Sequence, residues 1–207
     1  MKIIGVCGSS GSGKSTFTRC FSQLGFPVFN CDEIYHDLVN SPSDCLTEIG
    51  ESFGTELIKN GFLDRKKLGE IVFSDKEKLS KLNTISHRHV IAFIEEQIER
   101  LTKNDEKFCV IDAPLLFESG LDKRCDLVVA VVSEENAQIE RICLRDGIDF
   151  DRAKKRIQNQ ISSEKLKKLA DVTIENNGSC DELYEKCKEF ITSIMKQGEN
   201  YESEQRT

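Results

Sequence analysis

The segment Gly8-Ser9-Ser10-Gly11-Ser12-Gly13-Lys14-Ser15, with Thr16 behind it, leaves this chain few folds to choose from. An apolar run, Ile3-Ile4-Gly5-Val6-Cys7, precedes it, and a helical pattern to about Leu24 follows. Strand, then G-x-x-x-x-G-K-[ST], then helix is the phosphate-binding loop in the setting that gives the motif meaning. Its glycines allow backbone conformations in which successive N–H groups turn toward one anion. The helix adds the unpaired amides of its first turn and the positive end of its dipole. A nucleoside triphosphate is the implied ligand, with Lys14 reaching the β- and γ-phosphates and the Ser15 hydroxyl holding Mg²⁺. The motif does not say what receives the phosphate.

The rest of the composition narrows the class. At 207 residues the chain fits one α/β domain carrying an insertion, or one domain and a small partner domain, and 38% apolar with 31% charged residues describes a soluble globular protein with a proper core. A net charge of −7 without a long basic run speaks against a nucleic-acid surface. No apolar stretch approaches the roughly 18 residues a membrane span needs, and Lys2 leads into strand and loop, not a signal peptide. The nine cysteines, at 7, 20, 31, 45, 109, 125, 143, 180 and 187, include no C-x-x-C and no zinc spacing. An odd count without an export signal reads as reduced thiols in the cytoplasm, with neither zinc nor disulfides.

Along the chain, Gly25-Phe26-Pro27 makes a turn and Pro27–Asn30 a second strand, followed by Cys31-Asp32-Glu33 and a helix over Ile34–Val39. Chemistry in open α/β sheets collects at the carboxyl ends of strands, so Asp32 is either catalytic, the N-cap of the helix, or both. From Ser41 to about Asn104 the pattern is helical without a strong strand. Ser43 and Asp64 read as caps, Gly54 and Gly61 as turns, and Ser74-Asp75-Lys76-Glu77 as a capping box. His87 and His89, two apart, do not share a helix face, so they are no metal pair; second-substrate contact or polar surface is their expected use. Phe108–Asp112 is a buried third strand whose closing Asp112 fits a carboxylate assisting Mg²⁺ through water. Pro114-Leu115-Leu116-Phe117-Glu118 follows as a loop, Asp126–Val132 is a fourth strand, and Ser133 is expected to cap a helix to about Arg145.

Arg141 and Arg145 share a face, as do Arg152, Arg156 and Gln160, with few acidic residues among them. The pattern predicts a lid whose guanidinium groups close over the triphosphate, with a solvated charged helix as the alternative. Val172–Ile174 is a fifth strand, Asn176-Asn177-Gly178 a turn, and Ser179 with Glu182 a capping box for a helix to about Gln197. Residues 198–207 read as a polar, disordered tail.

With these pieces placed, the chain resembles the dephospho-coenzyme A kinases from Met1 to about Gln197. The resemblance is carried by the phosphate loop, Asp32 after the second strand, the Pro114–Glu118 loop, Arg141 with Arg145, and Ile174-Glu175-Asn176-Asn177-Gly178. It implies an α/β P-loop kinase fold with a five-stranded parallel sheet. The core would be residues 1–31, 105–140 and 170–197, with a helical coenzyme-binding insertion at 32–104 and a lid at 141–169. It implies transfer of the γ-phosphate of ATP to the ribose 3′-hydroxyl of dephospho-CoA, by a monomer or weak oligomer. Gly8, Gly11, Ser12, Gly13, Lys14, Ser15, Thr16, Arg141 and Asn176 would bind ATP; Asp32, Lys14, Arg141 and Arg145 would be catalytic. Asp32, His87, Pro114, Leu115, Leu116 and Glu118 would meet the acceptor, and Ser15 with Asp112 the metal. The family commonly has Asp-Ala-Asp at Asn30-Cys31-Asp32, His-Pro at His87-Arg88, and a loop reading Thr-Gly-Gly-Ile-Gly-Ser-Gly-Lys-Ser, so Cys7, Ser9 and Ser10 differ at positions expected to use mainly backbone. A nucleoside or nucleotide kinase shares this core; a guanine-dependent switch would want Asn-Lys-x-Asp, which is absent.

Overall fold

A computed structural model describes residues 1–204, with side chains through 196. In chain order its elements are β1 (Lys2–Cys7), α1 (Lys14–Gln23), β2 (Val28–Asn30), α2 (Cys31–Val39), α3 (Asp44–Phe53), β3 (Ile58–Lys59), β4 (Phe62–Leu63), α4 (Arg65–Val72), α5 (Lys76–Lys103), β5 (Phe108–Asp112), β6 (Leu127–Val132), α6 (Glu135–Asp146), α7 (Phe150–Gln158), α8 (Ser163–Leu169), β7 (Val172–Glu175) and α9 (Cys180–Glu204), with 3₁₀ turns at Thr55–Leu57 and Leu121–Arg124. The chain divides into two compact units, Met1–Val28 with Lys107–Thr207, and Phe29–Glu106.

The first unit is built on a five-stranded sheet of order β2-β5-β1-β6-β7. β1 pairs in parallel with both β5 and β6, and β6 in parallel with β7. Phe108–Asp112 is buried at every position, as a central strand covered on both faces must be. On one face, Phe17 and Phe21 of α1 meet Phe190 and Cys187 of α9 over Ile4, Val6, Val110 and Val129. The Phe17 and Phe21 rings pack edge to face at 5.5 Å. Ile139 and Ile142 of α6 form a separate apolar cluster with Ala153 of α7.

α9 continues through Gly198 to Glu204, past the end expected at Gln197. One glycine costs a helix only about 1 kcal/mol relative to Ala, and the Glu-rich residues around it favour the helix. The tail expected at 198–207 therefore begins helical, and 205–207 lie outside the described residues. Ser133 does not cap α6, which starts two residues later behind Glu134 without a side-chain cap. Ser133 Oγ instead donates to Asn177 Oδ1 (3.3 Å) and accepts from Arg141 (3.2 Å).

The second unit is helical around Val39, Cys45, Leu46, Ile49, Leu57, Leu68, Val72 and Ile85. Ser43 and Asp64 cap α3 and α4 through Leu46 N and Lys67 N, as expected. At α5 the cap is Asp75, which accepts from Glu77 N and Lys78 N, while Ser74 Oγ is drawn back to Glu70 O. The unit is not purely helical: β3 and β4 form a hairpin, Ile58 opposite Leu63. Its turn, Asn60-Gly61, has φ of 53° and 84°, the two positive values of a type I′ turn. α5 runs unbroken through His87-Arg88; with Arg in place of the family's proline, every residue there keeps its amide and nothing clashes with the preceding turn.

Candidate active site

The first unit holds the phosphate loop between β1 and α1. Gly11 and Gly13 have φ of 77° and 97°, in the left-handed region that favours glycine. A Cβ on Gly11 would also lie 2.6 Å from Gln138 O, and one on Gly13 would overlap the Asn176 side chain. Ser12 N donates to Ser9 O at 3.1 Å, folding the loop on itself, and Gly13 O accepts from Thr16 and Phe17. The amides of Gly11, Gly13, Lys14 and Ser15 meet no protein acceptor among the described residues. These four N–H groups at a helix N-terminus form an anion cradle. The Ser15 side chain is exposed at its edge.

Ser12, expected among the nucleotide contacts, is turned the other way. Its hydroxyl is buried without a partner and its carbonyl accepts from Asn176 Nδ2 at 2.8 Å, so it forms the floor of the loop. Asn176 likewise acts from beneath, as a strut between the end of β7 and the loop. Ser9, at a position expected to use mainly backbone, also uses its hydroxyl, which donates to Gln138 Oε1 (3.2 Å). Ser10 N donates to Gln160 Oε1 (2.9 Å).

Lys14 and Asp112 form an ion pair, and Thr18 Oγ1 donates to the other carboxylate oxygen of Asp112 at 2.8 Å. The pair is nearly dry: the side chains are 11% and 2% exposed. Cys7, just before the loop, is pushed up to about 12 by burial, with Lys14 opposing the shift, so it is an uncharged thiol at neutral pH. All nine cysteines are free thiols.

The two arginines of α6 part company. Arg141 Nη1 donates to Gly11 O (3.1 Å) and Ser133 Oγ (3.2 Å), and its Nη2 to Asn176 O (3.1 Å) and Gly178 O (3.4 Å). Arg145 instead donates to both oxygens of its neighbour Asp146, which Arg156 also meets at 2.6 Å. Arg152 pairs with Asp149. The expectation of a lid face poor in acidic partners is thus corrected: the cations find carboxylates just outside the pattern, at the end of α6 and the start of α7. Gln160 does not share a helix with Arg152 and Arg156, because α7 stops at Gln158. Next to these side chains a cavity of about 520 Å³ is lined by Ser133, Gln138, Gln160, Ser163, Lys167 and Asn177, among others.

In the Pro114–Glu118 segment, Leu115 and Glu118 are exposed and Pro114 is half-buried. Leu116 does not fit its expected role with the acceptor: its side chain is fully buried, and a Cβ on Gly5 would lie 2.9 Å from it. Leucines alternate between surface and core in this turn, a distinction the sequence pattern does not carry.

In the second unit Asp32 is exposed in the first turn of α2. It is not the cap. Asn30 caps α2, its Oδ1 accepting from Asp32 N (3.0 Å) and Glu33 N (3.2 Å). Asn caps about as well as Asp, so Asn30 keeps this role where the family carries a carboxylate. His87 lies half-buried on α5. His89 and Arg88 both bind Glu48, His89 Nε2 at 2.7 Å, which holds the Glu48 carboxyl below its ordinary range.

Among the described residues, no group of three or more potential metal ligands from His, Cys, Asp and Glu occurs, and no helix is long and apolar enough to cross a membrane. The family described as dephospho-CoA kinase matches residues 2–182. A dephospho-CoA kinase of Fusobacterium nucleatum subsp. nucleatum is 45% identical over 193 residues, covering 93% of this chain and 98% of that one. One from Oryza sativa subsp. japonica is 37% identical over 195 residues, 94% of this chain and 85% of the relative. The solved structure of dephospho-CoA kinase from Campylobacter jejuni superposes with a TM-score of 0.72 at 33% identity, covering 96% of this chain and all of the other. A cradle of free amides closed by Lys14 and Asp112, on a parallel sheet and in a chain so matched along its length, has one reading: the chain belongs to the dephospho-CoA kinase family.

Proposed function

We propose that the protein transfers the γ-phosphate of ATP to the ribose 3′-hydroxyl of dephospho-CoA, the last step of coenzyme A synthesis. The observation that carries the reading is the set of unpaired amides at Gly11, Gly13, Lys14 and Ser15, in a chain of this family. Phosphoryl transfer asks the protein for positioning and charge neutralisation more than for covalent chemistry. The loop amides and Lys14 would bind the β- and γ-phosphates. Asp32 would orient the acceptor hydroxyl and take its proton as the new O–P bond forms and the bond to the leaving ADP oxygen breaks. His87, Pro114, Leu115 and Glu118 would contact the coenzyme.

The donor set suits Mg²⁺, which prefers hard oxygen ligands and keeps several waters. Ser15 would bind it directly through its exposed hydroxyl. Asp112, whose oxygens already hold Lys14 and Thr18, would reach it through water. The ion would neutralise charge on the transferring phosphate. A cytoplasmic monomer or weak oligomer, with no nucleic-acid partner, fits the charge and thiol content.

The test is a coupled assay of ADP release with ATP and dephospho-CoA, beside a panel of nucleosides and nucleotides. Turnover confined to dephospho-CoA is expected. Preference for a nucleoside would instead assign a nucleoside kinase built on the same core.

A further inference from the structure

The loop's amides are not all alike. Ser10 N is taken by the Gln160 carboxamide at 2.9 Å, while the amides of Gly11, Gly13, Lys14 and Ser15 have no protein acceptor. Gln160 lies in the short connection between α7 and α8, 150 positions away in the chain. Gln160 thus occupies one N–H of the loop from outside it, while Ser9 O occupies that of Ser12 from within.

The contact is part of a wider fastening of the loop's first half to the α6–α8 segment. Ser9 Oγ donates to Gln138 Oε1, and Gln138, only 1% exposed, donates in turn to Ser133 O (2.8 Å) and Ser163 Oγ (3.3 Å) at the start of α8. Gly11 packs its Cα against the Gln138 backbone, and Arg141 holds Gly11 O. Three consecutive loop residues are thus held from one side. Ser9 and Gly11 are held by groups anchored on α6. Ser10 is held by Gln160, which belongs to an irregular connection.

We propose that Gln160 is a positioning residue for the nucleotide step. It restrains the Ser10 peptide, so that the amides of Gly11, Gly13, Lys14 and Ser15 present one fixed cradle to the triphosphate, and it couples the α7–α8 connection to the shape of the loop. The proposal rests on the reading of the loop as the ATP site. Because Gln160 bonds to the loop, its effect is expected on the ATP step, with the KM for dephospho-CoA as the control.

The test uses two variants of the full-length protein. Gln160→Met keeps the length of the side chain and loses the acceptor; Gln160→Glu keeps an acceptor at the same reach. Amide exchange at Ser10, read by NMR on the nucleotide-free protein, should quicken about tenfold in Gln160→Met and return to within about threefold of wild type in Gln160→Glu. In Gln160→Met the KM for ATP should rise about 2- to 12-fold, the range one lost hydrogen bond represents. The KM for dephospho-CoA and kcat should stay within about twofold. Unchanged Ser10 exchange in Gln160→Met overturns the proposal, and so does faster exchange with an unchanged KM for ATP, or an equal rise in both KM values. Failure of the wild-type protein to bind ATP would overturn the proposed function, while Ser10 exchange would still decide whether Gln160 restrains the loop.

Discussion

Replacing Lys14 is the natural probe of the phosphate loop, and the structure changes what it should do. A motif lysine reaching only for phosphate would be lost without harm to the fold. Lys14 instead neutralises Asp112, whose side chain is 2% exposed. Removing one partner of a buried pair leaves an uncompensated charge and typically costs about 3–5 kcal/mol. In a protein of this size each kcal/mol moves the melting temperature by about 2–4 °C, so Lys14→Met should melt roughly 6–20 °C below wild type. Lys14→Met/Asp112→Asn removes both charges and keeps an oxygen for the Thr18 hydroxyl. It should recover most of the loss, a large non-additivity that identifies the pair. Transfer should be lost in both variants, because neither keeps the cation. The assay is thermal melting of Lys14→Met and of the double variant, beside turnover. Lys14→Met melting within about 2 °C of wild type would refute the reasoning, and with it the claim that this pair is dry and coupled.

Four further outcomes follow from the site and its surroundings. Asp32→Asn should lower kcat by about 10²–10⁴-fold, the usual worth of a general base, and leave the helix cap intact; Asn30→Ala should cost about 0.5–2 kcal/mol of stability. A loss of less than tenfold in kcat for Asp32→Asn removes it as the base. Burial pushes the Cys7 and Cys125 thiols up to about 12 and those of Cys45 and Cys109 to about 11. Unfolded thiols ionise near 8.5, so the stability these groups supply is intact below that pH and drains as pH rises toward 11–12; melting scans from pH 7 to 10.5 should decline, and a flat profile sinks the argument. Glu48 is held low by hydrogen bonds from His89 and Arg88, so its contribution is present at neutral pH and fades as pH falls through its folded value. Melting of Glu48→Gln should therefore trail wild type at pH 7 and converge with it near pH 3.

What the sequence disclosed followed periodicity and fixed spacing. The five strands, the phosphate loop and the caps at Ser43 and Asp64 were legible because each depends on residues a few positions apart. The hairpin at Ile58–Leu63 was legible in principle, since Asn60-Gly61 is a type I′ signal, but two-residue strands leave no alternation to see. Capping choices that depend on a competing partner were not legible: Ser74 is diverted to Glu70 O, and Ser133 to Arg141 and Asn177. Nor could spacing tell the buried Leu116 from the exposed Leu115, or show that Gln160 meets a loop 150 positions away. Those facts belong to tertiary packing, which local pattern does not encode.

The cations around the loop illustrate the difference in energetic terms. Counted by sequence, Lys14, Arg141 and Arg145 are three charges aimed at one triphosphate. In the fold Lys14 is matched by Asp112 and Arg145 by Asp146. Arg141 alone has only neutral oxygen partners, at Gly11, Ser133, Asn176 and Gly178. Both of its terminal nitrogens are hydrogen-bonded while its charge is not cancelled. A guanidinium held this way loses little conformational freedom when an anion arrives, and its field reaches the loop through a half-buried setting where screening is weak. Three of the four bonds fasten α6 to the loop and to the turn after β7, so the residue that helps hold the cradle also carries its uncompensated positive charge. Arg145, by contrast, has its charge matched by Asp146 through two hydrogen bonds, so of the two arginines on this helix it is Arg141 whose charge meets no carboxylate among the described residues.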